Sequence, residues 1–414
     1  MRYLLLLLLI PSLLSAAAPV VSNVRAAQRA GTKLIDVTYD LSDSDSAAVF
    51  VSIQIYDNTT PLPAFSLSGD VGSGVTPGFN KKITWNAGQD WNRRYTPYGS
   101  ARIIADDLTT TVPNSTLAYV PAGFSATNGY GSHSESGTIF TSGFYMDKTE
   151  ISKGTWDTVK AWAAVNGYTF DNPGVGAAAN HPVVGVSWYD VAKWCNARSE
   201  MEGLAPIYFT DATRTTVYRT GQVILRSTFC NFTAPGYRLP TRAEWSKAAW
   251  GGSTSGPYPW PSYYGAGAEI IDAGKGNHNG AGFSYTQWLY ANHYMTTPCG
   301  YFNGSQQATG VQAGVPIKDM ANGFGLYDMY GNASEWLWDS SYSQVTSTPE
   351  YRDDNYKGPD LGLGDKRYIA AGRESGSWDR QGYSDPASVS GTLLSMSSSS
   401  PYYASRGFRT VRGL

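Results

Sequence analysis

The segment 323–336 combines two carboxylates with a glycine-rich turn, and this combination can bind a metal ion. Asp328 and Glu335 offer side-chain oxygens, while Gly331 and Ala333 between them can contribute backbone carbonyls. Calcium prefers a large set of oxygen ligands and tolerates irregular geometry. The spacing therefore indicates a calcium site at these four residues, with a solvated acidic turn beside a tryptophan-rich core as the alternative.

The cysteines offer less chemistry than the carboxylates. The chain has three of them, Cys195, Cys230 and Cys299. An odd number allows at most one internal disulfide and leaves one thiol over. Cys195 falls on the buried side of a predicted helix, which favours an inert core thiol. Cys230 and Cys299 lie in loop-like contexts, and the sequence leaves open whether they pair.

Three predicted helices frame these residues. Ser187 and Asp190 begin one that runs to about Glu202. Thr241 and Glu244 form a capping box, in which the threonine oxygen accepts a backbone N–H and the glutamate reaches back. A shorter helical pattern covers 152–165. The remainder of this half of the chain reads as glycine-rich loop with short strands.

The region 19–107 has a different pattern. Short runs of β-branched and apolar residues alternate with turns rich in Gly, Pro, Asp and Asn. This spacing predicts an antiparallel β-sandwich of immunoglobulin or fibronectin type. The acidic loop 40–45 is interpreted as a solvated hairpin turn rather than a calcium site. Residues 108–117 are predicted to be a linker to the second domain.

The first seventeen residues carry a basic start, a short apolar run and small residues, as in a secretory signal peptide. The apolar run is too short for a stable membrane span. We therefore expect a secreted protein, periplasmic or extracellular, without a membrane span. The net charge of −2 and the lack of charge blocks give no attraction to nucleic acid.

Several motifs occur together in a fixed order after the linker. They are Phe144–Ser152, His181–Asp190, Gly236–Trp250, Tyr258–Trp260, Gly376–Trp378 and Arg406–Arg409. In this order the set resembles the sulfatase-modifying factor family, that is, the formylglycine-generating enzyme domain with its variant C-type lectin fold. The resemblance covers 118–412. It implies an α+β, loop-rich second domain following the N-terminal β-sandwich.

The same resemblance implies a copper-dependent oxidation performed by a pair of cysteines. These cysteines follow the Gly376–Trp378 motif in the family, and the corresponding positions here are Arg380 and Asp385. Copper(I) prefers soft thiolate ligands, which neither residue supplies. The catalytic cysteines of the family therefore have no counterpart in this chain. We expect that it binds no copper and has no activity of the copper type.

The calcium ligands of the family do have counterparts. The resemblance implies that Asp328, Gly331, Ala333 and Glu335 coordinate one structural calcium ion. A second family site begins at an Ala–Asn pair and would use Asn292, but its downstream acidic ligand is not recognisable. Calcium is thus the expected cofactor.

Two functions follow from these observations. The first is a secreted, lectin-like binding or structural protein, a pseudoenzyme whose loops contact an extracellular carbohydrate or protein. The serine- and tyrosine-rich stretch 384–403 suits adaptable contacts, and a flexible loop is the alternative. The second is an enzyme of the formylglycine-generating or protein-maturation type that acts on exported proteins without the missing cysteines.

Overall fold

A computed structural model describes residues 18–62, 64, 66–107, 114–127, 137–252, 296–305, 319–329, 331–340, 366–370, 394–395 and 406–413. The predicted signal peptide and most of the predicted linker lie outside these ranges, so both remain predictions.

The N-terminal region consists of two antiparallel sheets. Its elements are β1 (Val20–Gln28), β2 (Leu34–Ser42), β3 (Val49–Asp57), β4 (Thr60–Leu62), β5 (Leu67–Gly69), β6 (Gly72–Val75), β7 (Gly78–Asn86), α1 (Ala87–Asp90) and β8 (Gly99–Asp106). One sheet has the order β1-β2-β7-β5. In the other sheet, β3 pairs with β6 near its start and with β4 near its end, and β8 pairs with β3 from Phe50 to Asp57.

Both sheets contribute to one apolar cluster. Alternate residues of β2, including Val37 and Tyr39, are buried with Ile83 and Trp85 of β7 and with most of β3. The period of two residues places these side chains on one face of each strand. The strands expected from the sequence are therefore present, whereas the immunoglobulin or fibronectin type remains a prediction.

The second region has three longer helices, which match the sequence prediction. They are α2 (Lys153–Val165), α3 (Trp188–Met201) and α4 (Arg242–Trp250). Ser152 and Ser187 cap α2 and α3 by accepting backbone N–H groups. Thr241 and Glu244 form the predicted capping box of α4. Local capping signals were sufficient here because each one satisfies N–H groups of its own first turn.

Short strands complete the second region. They are β9 (Leu117–Val120), β10 (Gly123–Thr127), β11 (Gly137–Thr141), β12 (Phe144–Asp147), β13 (Tyr237–Arg238), β14 (Ser334–Ser340), β15 (Lys366–Ala370), β16 (Leu394–Ser395), β17 (Arg406–Gly407) and β18 (Val411–Gly413). They form a hairpin of β10 and β11 and two four-stranded sheets, β13-β18-β12-β9 and β16-β15-β14-β17. The result is a sheet-rich mixed fold with few helices.

Tryptophans dominate the core of the second region. Trp156 and Trp194 stack with ring centroids 5.9 Å apart, and Trp338 stacks on Tyr208 at 5.4 Å. Trp188 and Trp336 are equally buried. Aromatic side chains bury the largest apolar areas, so this layer holds the segment that begins β14 against α3.

The two regions contact each other through buried side chains. Phe50 of β3 meets the ring of Phe324 edge-on, with centroids 5.8 Å apart. A Cβ atom at Gly123 would lie 2.2 Å from the Ser52 hydroxyl, so only glycine allows this approach.

A buried lysine joins α4 to the first strands of the second region. Lys247 of α4 donates to the Pro121 carbonyl, to the Gly123 carbonyl at 3.1 Å and to the Thr141 hydroxyl at 3.1 Å. Its burial lowers the pKa of Lys247 to about 7.

Candidate metal centre

The segment predicted to bind calcium is tied to the C-terminal end of α4. The Asn322 amide donates to the Ala248 carbonyl at 2.7 Å. Its side-chain oxygen accepts the N–H groups of Phe324 at 3.0 Å and Leu326 at 3.2 Å. The Asn322 side chain thus satisfies a carbonyl at the end of α4 and two N–H groups of the turn, and these bonds fix the position of the segment that follows.

Glu335 lies on β14 and is almost completely buried. Its two carboxylate oxygens each accept a hydrogen bond from Nε of Arg409 at 2.9 Å, and Oε1 accepts a second one from Nη2 at 2.7 Å. The indole N–H of Trp245 adds a fourth contact at 2.8 Å. Burial alone would lower the pKa of Arg409, but the Glu335 carboxylate outweighs it and raises that pKa. Arg409 and Glu335 therefore form a buried ion pair joined by charge-assisted hydrogen bonds.

Asp328 lies at the partly exposed edge of the same cluster. Its backbone is left-handed, with φ 57°, a conformation that aspartate tolerates better than most residues. One carboxylate oxygen accepts the N–H of Gly300 at 2.6 Å. Desolvation raises the pKa of Asp328, while the Gly300 N–H and the charge of Arg409 oppose the shift.

Glu150 is a further carboxylate in the cluster, and the sequence interpretation assigned it no role. It follows β12 and is 2% exposed. Its Oε1 accepts the N–H of Ala333 at 3.3 Å. Among the described residues no N–H or hydroxyl donates to its Oε2. Desolvation, and then the charge of Asp328, hold the pKa of Glu150 well above its ordinary value.

The cluster has an excess of negative charge. Glu150, Asp328 and Glu335 supply three carboxylates, and Arg409 supplies the positive charge that faces them. If all are ionised, two negative charges remain. An oxygen-rich cluster with a buried carboxylate oxygen that accepts no hydrogen bond from the described residues fits a hard divalent cation.

Part of the predicted ligand set lies near Glu150. Asp328 and Glu335 both act on its pKa, and the N–H of Ala333 donates to its Oε1. Among the described residues, only Asp43, Asp45 and Asp107 form a group of three whose ligand atoms lie within 4.8 Å of one another, so calcium binding at Asp328, Gly331, Ala333 and Glu335 remains a prediction. Gly331 has φ 136°, which favours glycine. Asn292, Arg380 and Asp385 lie outside the described residues, so the second calcium site and the replaced cysteine positions remain predictions.

The cysteines are all free thiols. Cys195 is fully buried on α3, as predicted, and Cys230 is also buried. Cys299 and Cys230 are not paired. Desolvation, and then the carboxylates of Glu150 and Asp328, raise the pKa of Cys299 well above its ordinary value. This thiol is therefore protonated and a weak nucleophile at neutral pH.

The acidic loop near β2 has a structural explanation. Asp43 accepts the backbone N–H groups of Asp45 at 3.0 Å and Ser46 at 2.9 Å, as expected for the hairpin turn. Carboxylate oxygens of Asp43, Asp45 and Asp107 lie within 4.8 Å of one another, close to the surface.

Glu150 and Arg409 could have been noticed from the sequence. Both stand inside motifs that carried the family resemblance, Phe144–Ser152 and Arg406–Arg409. Their partners lie 183 and 74 positions away, so no local pattern connects them. A search for charged residues inside otherwise aromatic motifs would have selected them.

The chain is similar to known proteins. Residues 106–414 match the family described as sulfatase-modifying factor enzyme 1-like domain. Chaperone protein LppX of Paenibacillus barcinonensis is 32% identical over 215 residues, which are 51% of this chain and 67% of that protein. The formylglycine-generating enzyme of Thermomonospora curvata is 29% identical over 209 residues, which are 49% of each chain.

Two solved structures align with this chain. CarF aligns with a TM-score of 0.47 and 24% identity, over 72% of this chain and 98% of that one. Treponema denticola variable protein 1 aligns with a TM-score of 0.42 and 20% identity, over 72% of this chain and 94% of that one.

No helix among the described residues has the length and apolarity needed to cross a membrane. On the match over residues 106–414, the chain belongs to the sulfatase-modifying factor family.

Proposed function

We propose that this protein is a secreted, calcium-stabilised, lectin-like binding or structural protein on a sulfatase-modifying factor scaffold. The observation that carries the proposal is the buried carboxylate cluster, which holds three acidic groups against one guanidinium. A bound calcium ion would neutralise the remaining charge and join the turn at Asp328 to the tryptophan core. The ligand would be an extracellular carbohydrate or protein.

The thiols support a binding role over copper chemistry. A copper site of the family type needs a pair of thiolates, and the sequence has no cysteine beyond Cys299. Cys195 and Cys230 are buried in the core. For the N-terminal sheets we propose an immunoglobulin- or fibronectin-type sandwich that acts as a spacer or interaction module.

Calcium should raise the melting temperature of the protein, and chelation should lower it. The folded state assembles the oxygen ligands, so binding stabilises it by about 2.7 kcal/mol at a hundredfold excess of calcium over Kd. Extracellular sites have Kd values of about 10⁻⁴ to 10⁻³ M. In about 1 mM calcium such a site would therefore stabilise the fold by about 0.4–1.4 kcal/mol, and differential scanning calorimetry with chelator and with calcium measures the effect.

The matched variant is Asp328→Ala, which removes the side-chain oxygens that would ligate calcium. It should melt at the same temperature in chelator and in calcium. Identical melting curves for the unmodified protein in both buffers would show that the carboxylates act as hydrogen-bond acceptors only.

A second candidate function is protein maturation of exported clients. It is favoured by the relative named a chaperone, which shares 32% identity over half of this chain, and by the relative named a formylglycine-generating enzyme. Such an activity would have to proceed without the cysteine pair, since Arg380 and Asp385 occupy the corresponding positions.

One assay separates the two candidates. The purified protein is incubated with copper and a Cys-x-Pro-x-Arg peptide, and mass spectrometry follows the conversion of cysteine to aldehyde. We expect an unchanged peptide mass, because neither arginine nor aspartate holds copper(I). Catalytic turnover would refute the binding-protein proposal and our interpretation of Arg380 and Asp385.

A further inference from the structure

We infer that a cleft between α2 and the end of α3 binds a hexose unit that carries no acid group. This inference rests on the binding function proposed above, because it names the class of the ligand and the place where the ligand binds. The cleft has a volume of about 350 Å³, which is sufficient for a small-molecule site. Residues before β9 and after β12 complete its lining.

The wall formed by α2 and its cap carries a row of hydroxyl groups. Ser152, Thr155 and Thr158 are spaced by three residues, so they lie along one face of the helix. The hydroxyls of Ser152 and Thr155 are 2.9 Å apart, and the hydroxyl of Thr158 donates to the Gly154 carbonyl at 2.9 Å. A hydroxyl that donates its hydrogen still has lone pairs for another donor. This wall therefore accepts hydrogen bonds from a ligand.

The opposite wall carries a guanidinium and a carboxylate. Arg198 is 4% exposed, and its Nη1 donates to Asp147 at 3.0 Å while its Nε donates to Glu202 at 3.2 Å. Its Nη2 is not buried and donates to none of the described residues, so its N–H groups are open to the cleft. Glu202 also accepts the Tyr237 hydroxyl at 2.7 Å, which leaves about two of its four lone-pair positions for a ligand. This wall therefore offers both donors and acceptors in fixed positions.

Apolar side chains line the space between these walls. Ile151 and Val159 are buried, and Met201 joins them from α3. A sugar ring has the same division, with hydroxyl groups around its edge and C–H groups on its faces. Because the walls pair with the hydroxyl groups and the aliphatic side chains contact the C–H groups, the ring loses its water without losing its hydrogen bonds. The lining therefore favours a sugar over a purely apolar ligand.

The charges around the cleft disfavour an acidic sugar. Asp147 and Glu202 face the single guanidinium of Arg198, so one negative charge remains when all three are ionised. A carboxylate on the ligand would compete with both side chains for Arg198 and would be repelled by them. An amino group on the ligand would be attracted. We therefore expect the affinity to fall in the order glucosamine, glucose, glucuronate.

The test measures the binding of these three sugars to the purified protein by isothermal titration calorimetry. Glucosamine and glucose should bind, and glucuronate should bind at least about tenfold more weakly than glucose because of the repulsion between like charges. Thr158→Trp places an indole in the cleft from an exposed position of α2. It should weaken glucose binding about tenfold or more without changing the melting temperature. Ala164→Trp is the matched control, because Ala164 is exposed on the same helix and does not line the cleft.

Glu202→Gln measures the effect of charge separately. Glutamine keeps an acceptor for Nε of Arg198 and removes one negative charge from the cleft. The variant should therefore discriminate less between glucose and glucuronate than the unmodified protein does. Unchanged discrimination would show that Glu202 does not face the ligand, and the inferred wall would be wrong.

The remaining outcomes separate this inference from the proposed function. If Thr158→Trp and Ala164→Trp bind glucose equally well, the sugar binds elsewhere, so the cleft is refuted while a carbohydrate-binding function stands. If the unmodified protein binds neither glucosamine nor glucose, the cleft is not a sugar site. The calcium dependence of the melting temperature then still tests the proposed function with a protein as the ligand.

Discussion

Replacing Arg409 by methionine should destabilise the protein by about 3–5 kcal/mol, the usual effect of removing one partner of a buried ion pair. Arg409 is fully buried and makes a bidentate contact with Glu335. It also donates to the backbone carbonyl of Tyr327 at 3.1 Å. Methionine fills much of the volume but leaves the buried carboxylates without their facing cation. Urea unfolding followed by tryptophan fluorescence measures the loss.

Two further variants control this prediction. Arg219→Met removes a pair with Glu200 that is partly exposed, so it should change stability by less than about 1 kcal/mol. Adding Glu335→Gln to the Arg409 variant should restore part of the lost stability, because the unpaired charge is removed as well. A loss no larger than that of Arg219→Met would show that water or another cation already screens Glu335.

Replacing Phe50 by alanine should also destabilise the protein, by about 3–5 kcal/mol. Phe50 belongs to β3 of the N-terminal region, yet it is 5% exposed within a cluster built mainly from the second region. Its ring meets Phe324, which lies in the segment predicted to bind calcium. Calorimetry of the variant should show the loss in the second region as well as in the N-terminal sheets.

Phe79→Ala is the matched control, because Phe79 lies on β7 in the other N-terminal sheet and is 85% exposed. It should leave the unfolding free energy within about 0.5 kcal/mol of the unmodified value. If Phe50→Ala behaves like Phe79→Ala, the two regions fold independently and the contact with Phe324 contributes nothing to stability.

The helices were predictable because their signals are local. Ser152, Ser187 and Thr241 each accept an N–H from the first turn of the helix that they begin, so a few adjacent residues contain the information. Strands β2 and β7 were predictable for a similar reason, since buried residues alternate within each of them. Strand β3 was predictable as a run of apolar and β-branched residues, and it is buried over its first seven positions.

The sequence by itself determined the family motifs, the capped helices and the four residues expected to ligate calcium. Only the tertiary structure brought Glu150 to Ala333 and Arg409 to Glu335, across 183 and 74 positions. It also placed Phe50 against Phe324. These contacts depend on how strands from distant parts of the chain pair and pack. The charge balance of a buried cluster is therefore fixed by the fold and cannot be obtained from local spacing.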